Sequence, residues 1–94
     1  GGYFYGISLN NGQKVFSYNT GQTVRFVRSG ERIIISDKKQ IPILINALTG
    51  EFIHSLDIGK NTIDYEQQML WYKNRFYGIV RNKKKDLSVV CIDI

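Results

Sequence analysis

The stretch from Glu31 to Leu56, ERIIISDKKQIPILINALTGEFIHSL, constrains this chain more than any other. Ile33-Ile34-Ile35 is a β-branched run closed by the polar cluster Ser36-Asp37-Lys38-Lys39-Gln40. Branching at Cβ crowds the preceding turn of a helix and costs little on a pleated surface. Ile41-Pro42-Ile43-Leu44-Ile45-Asn46 is a nearly continuous apolar run whose length fits a buried strand. Pro42 has no N–H for a ladder, so it belongs at the start of a strand or on an edge. Leu48-Thr49-Gly50-Glu51 reads as a turn, with Gly50 free to take a positive φ. In the segment that follows, Phe52, His54 and Leu56 alternate onto one face. The stretch therefore predicts three short strands joined by tight turns.

The same grammar runs through the rest of the chain. Tyr3 to Leu9, Lys14 to Tyr18, Thr23 to Val27, Thr62 to Tyr65, Arg75 to Arg81 and Leu87 to Ile94 read as strands, and Glu66 to Trp71 is assigned as one. Asn10-Asn11-Gly12-Gln13 is a hairpin signal, because Asn and Gly both tolerate the left-handed region. The expected fold is all-β, an antiparallel meander of about seven or eight short strands. A compact β-sandwich or small barrel is the alternative. The 94 residues suit a single domain, 43% hydrophobic and 22% charged, which separates it from disordered chains. One cysteine excludes an internal disulfide framework, and no apolar stretch is long enough to span a bilayer as a helix. The chain opens Gly1-Gly2 without Met, which reads as a trimmed start. A cytoplasmic location is the expectation, with a removed signal as the alternative.

The chain also echoes itself. Gly12 to Tyr18 lies over Gly50 to Leu56, 38 positions on, and each segment reaches a second glycine, Gly21 and Gly59. Asp37-Lys38-Lys39 resembles Asn82-Lys83-Lys84, and Ser29 to Ile33 resembles Lys73 to Tyr77. A period of about 40 residues with several strands per unit has the character of a propeller. Two units are expected, at about 3–49 and 50–94. SDKKQIPILINALTGEFIHSLDIG resembles the β-propeller repeats of the NHL, pyrroloquinoline-quinone-like and six-bladed bacterial types, with Asp37, Gly50 and Gly59 at the matching places. The resemblance implies blade-like repeats. A propeller has about four to eight blades, so two units imply a fragment of a larger ring or assembly with other copies.

No residue set supports a reaction, so no catalytic, cofactor or metal residue is assigned. His54 is the only histidine, and its repeat partner is Phe16, so it reads as a structural or surface ring. Cys91 sits in Val89-Val90-Cys91-Ile92 and reads as buried. Asp57, Asp64 and Glu66 do not match the spacing of a calcium loop. The candidate interaction surface combines Trp71, Tyr72, Arg75, Arg81, Lys83, Lys84 and Lys85. Basic groups interleaved with rings suit nucleic acid, while a solvated hairpin tip explains the lysines without a ligand. The expected function is non-enzymatic binding of a protein partner, with homo-oligomers included and a membrane excluded. A small inhibitor or immunity-type protein against an enzyme, and a basic β domain on nucleic acid, are the alternatives.

Overall fold

The computed structural model describes residues 2–22, 25–64, 67 and 69–94. The expected strand positions at Thr23, Val24, Tyr65, Glu66 and Gln68 lie outside the described residues, and so does the Glu66 carboxylate. The rest is all-β, with ten strands and no helix among the described residues. They are β1 (Tyr3–Ile7), β2 (Lys14–Asn19), β3 (Phe26–Ser29), β4 (Arg32–Ser36), β5 (Pro42–Asn46), β6 (Phe52–Ser55), β7 (Thr62–Ile63), β8 (Leu70–Tyr72), β9 (Arg75–Arg81) and β10 (Leu87–Asp93). The ten strands fall on the ten segments read as strands, against an overall expectation of about seven or eight. Two of the ten are fragments along one edge: β7 pairs Ile63 with Val80, and β8 pairs Trp71 with Phe76, both on the side of β9 away from β10.

Three antiparallel sheets result: β1-β2, then β3-β4-β5-β6, then β10-β9 with β7 and β8. None closes into a barrel among the described residues. The middle sheet is covered on both faces. Ile33, Ile35, Ile43 and Ile45 meet Phe4, Phe16 and Tyr18 of the first sheet. Ile34 and Leu44 point the other way, into a core with Ile63, Phe76 and Val80 on the third sheet's side. That explains why β4 and β5 are apolar at consecutive positions: alternation disappears when both faces are buried. Each such side chain contributes about 1.5–3 kcal/mol over remaining exposed. Pro42 opens β5 opposite Ser36, at the end of the ladder, as its missing N–H requires.

The repeat is deeper in the structure than in the sequence. Both β1-β2 and β5-β6 carry a bulge at the same place. Gly6 pairs with Phe16 and Ile7 with Lys14, while 38 residues on Leu44 pairs with His54 and Ile45 with Phe52. The connecting turns share their backbone hydrogen bonds. Ser8 N–H donates to the Gln13 carbonyl as Asn46 N–H does to Glu51. Past the strands, Gly21 N–H donates to Asn19 Oδ1 and Gly59 N–H to Asp57 Oδ1, at 2.9 and 2.8 Å. A second match relates β3-β4-β5 to β8-β9-β10. Asp37 Oδ1 accepts from Lys39 and Ile41 N–H, and Asn82 Oδ1 accepts from Lys84 and Asp86 N–H. Gln40 and Lys85 close these turns with φ of 64° and 66°. By these matches β1-β2 corresponds to β5-β6, and β8-β9-β10 to β3-β4-β5.

One consequence corrects the reading of β6. The extra residue Ile53 interrupts the alternation, so Phe52 sits opposite Ile45 and His54 opposite Leu44, on opposite faces of the sheet.

Candidate interaction surfaces

The seven residues read as one interaction surface divide into separate places. Trp71 is half-buried against the core between the second and third sheets, with Arg32 over its ring at 6.0 Å. Tyr72 and Arg75 pair at one end of β9, on the outer face of the third sheet. Lys73 lies 5.3 Å from the Tyr72 ring centroid. Arg75 bonds Asp93 at 3.1 Å, and its guanidinium pKa is raised by a hydrogen bond with Tyr77 and then by Asp93. Arg81, Lys83, Lys84 and Lys85 lie at the other end of β9, a strand length of about 20 Å away.

The outer face of the third sheet carries apolar groups that lie outside the candidate surface read from the sequence. Leu70, Tyr77, Ile79, Val89 and Cys91 share it by register, because Phe76, Gly78, Val80 and Val90 occupy the inner face. Val89 is 66% exposed and Leu70 57%. Counted from the β8-β9 turn, Leu70 and Tyr77 stand where Val27 and Ile34 stand in the second sheet. Counted from the β9-β10 turn, Ile79 and Val89 stand where Ile34 and Leu44 stand. Those counterparts belong to the core that the third sheet covers. At the far end of the molecule Tyr3, Tyr5 and Ile7 lie exposed on the first sheet. They lie 38 positions before Ile41, Ile43 and Ile45, the last two of which are buried under the first sheet. Tyr3 and Tyr5 stack at 6.1 Å, and the Lys14 ammonium rests 4.1 Å from the Tyr5 ring centroid.

Between the β4-β5 turn, the β6-β7 connection and the β9-β10 turn lies an open cleft of about 550 Å³. Gln40, Lys60, Thr62, Arg81, Asn82, Lys83 and Lys85 line it. Arg81 is held in place by Asp64, whose buried carboxylate lies 2.9 Å from the guanidinium, and by a bond to the Lys85 carbonyl. Burying a carboxylate is costly unless it is paired, so this ion pair ties the start of the third sheet to β9.

Two residues weighed singly are now placed. His54 is exposed, with Nδ1 2.9 Å from the Ser55 carbonyl oxygen. Cys91 is exposed, contrary to the buried position expected. Its neighbours Val90 and Ile92 take the inner face, and Cys91 lies on the outer face with the exposed Leu70 and Val89. No family model, curated protein or solved structure matches the chain.

Proposed function

We propose that this chain is an interaction module built from a propeller-like sheet unit, which works by docking further protein sheets on its two end faces and catalyses nothing. The observation that carries the reading is the equivalence of exposed and buried faces. The face of the exposed Leu70 and Val89 and the half-buried Tyr77 and Ile79 corresponds to the Val27, Ile34, Leu44 face, and the second of these is covered by a sheet. Exposed apolar faces with a polar rim mark interaction sites in soluble proteins. The partner for such a face is another antiparallel sheet with an aliphatic or aromatic inner surface. In a pure sample the available sheet is the Tyr3, Tyr5, Ile7 face of a second copy. That contact is heterologous, so it extends head to tail until a ring closes.

Cys91 reports on this face directly. Maleimide labelling of its thiol should slow by about tenfold as protein concentration rises from dilute to concentrated solution, because only the unassembled fraction reacts. Val89→Lys should remove the concentration dependence and leave the fast rate at every dilution. A wild-type rate independent of concentration would contradict the reading.

A further inference from the structure

We infer that the cleft between the β4-β5, β6-β7 and β9-β10 segments is a binding site for a multivalent phosphate-type oxyanion. The inference is independent of sheet docking. Four cationic side chains line the cleft: Arg81, Lys83 and Lys85 from the end of β9 and the turn after it, and Lys60 from the β6-β7 connection. Among the described residues, no carboxylate forms an ion pair with Lys60, Lys83 or Lys85. Gln40, Thr62 and Asn82 add neutral hydrogen-bonding groups. Arg81 is anchored by Asp64, which offsets its charge, and by the Lys85 carbonyl. Its guanidinium is therefore fixed at the wall of the cleft with only its remaining N–H groups to offer, and the three lysines carry the net charge.

A solvated hairpin tip is the plain account of these lysines, and the repeat supplies a comparison inside the same molecule. Counterpart positions at the junction of the first and second sheets are Gln22 for Lys60, Ser36 for Arg81, Lys38 for Lys83 and Gln40 for Lys85. Only one of the four is cationic there. Yet the turn keeps the same architecture, with Asp37 Oδ1 and Asn82 Oδ1 each taking two backbone N–H groups and with matching positive φ at Gln40 and Lys85. The fold of the turn therefore does not require Lys85, whose counterpart is Gln40, while Lys83 and Lys84 keep cationic counterparts in Lys38 and Lys39. The convergence of Lys83 and Lys85 with Lys60, more than 20 positions earlier in the chain, creates a field that attracts a compact polyanion. The cleft has the volume of a small-ligand site, and its cations suit two or more linked phosphate groups better than one.

Isothermal titration with inorganic tripolyphosphate is the test. It should show one site per chain, weakening as salt rises. The double variant Lys60→Ser, Lys83→Ser should lose at least about tenfold in affinity, since it removes two of the converging charges. Lys14→Ser with Arg28→Ser removes the same charge outside the cleft and should change affinity by less than about twofold. Equal losses in the two variants would mean that only net charge matters and would overturn the site. Absence of saturable binding at low salt would overturn it as well. A single-stranded oligonucleotide serves as the second arm. If it competes with tripolyphosphate, a nucleic-acid backbone is the source of the phosphates; if it does not, the ligand is a small polyphosphate. An oligonucleotide that binds where tripolyphosphate neither binds nor competes would overturn the assignment.

Discussion

Phe76→Ala should lower stability by about 3–5 kcal/mol, the range for truncating a buried aromatic ring that leaves a cavity. Phe76 is fully buried at the inner face of the third sheet, where its ring passes over Gly78 and faces the Ile34 and Leu44 side of the second sheet. A Cβ at Gly78 would lie 2.8 Å from the ring, so the ring fills the space over this glycine, which has no side chain of its own to take its place. The loss falls on the contact between two sheets, and urea melts should show it as a lower midpoint. Phe76→Leu keeps most of the volume and should cost less. A loss below about 0.5 kcal/mol for the alanine variant, the level of an ordinary surface change, would mean that the second and third sheets are not packed as described.

The second large effect is at Gly50, and the repeat provides its control. Gly12 and Gly50 are counterparts with φ of 71° and 76°. A side chain at Gly12 would meet open space, whereas a Cβ at Gly50 would lie 2.3 Å from Phe16 Cγ. The Phe16 ring also lies over Gly6, so it is clamped between two glycines and cannot retreat. Tyr18 adds to the junction by donating its hydroxyl hydrogen to the Gly50 carbonyl, and burial raises its pKa. Gly12→Val should therefore cost only the backbone term, about 1–3 kcal/mol for a branched residue at positive φ. Gly50→Val should cost that plus about 1–3 kcal/mol of overpacking. Calorimetry on the two variants isolates the packing term by subtraction. Equal melting temperatures would show that the Phe16 ring is free to move and that the first and second sheets are loosely joined.

Much of this architecture is legible in the residues. The turns announce themselves through Asn, Asp and Gly, and the β-branched runs between them are the strands of the middle sheet. Half of the repeat is also legible, because Gly12 to Tyr18 and Gly50 to Leu56 keep the glycines and the alternation. The other half is not: Tyr3-Phe4-Tyr5-Gly6-Ile7 shares only its final Ile with Ile41-Pro42-Ile43-Leu44-Ile45, yet pairing and bulge coincide. Backbone geometry repeats there while the side chains diverge, and a residue-by-residue comparison passes over it. Cys91 misleads for a related reason. Val89-Val90-Cys91-Ile92 has the apolar continuity of a strand covered on both faces, as β5 is, but its outward residues Val89 and Cys91 are exposed. The candidate surface was scattered because nearness along the chain stood in for nearness in space. Trp71 turns inward, Arg75 and Arg81 lie at opposite ends of β9, and Lys60 joins the cleft from a loop that sequence spacing never connects to the lysine run.

The most direct test of head-to-tail docking between equivalent faces is the solution mass of two complementary variants, measured by light scattering over a wide dilution range. Tyr5→Lys places a charge on the first sheet's outer face and leaves the third sheet's intact; Val89→Lys does the reverse. The wild type should grow beyond a dimer as concentration rises, and each variant alone should remain a monomer. An equimolar mixture of the two should form a dimer and stop, because one good face of each kind remains to pair. A variant that dimerises on its own, or a wild type that is monomeric at every concentration, would contradict the account.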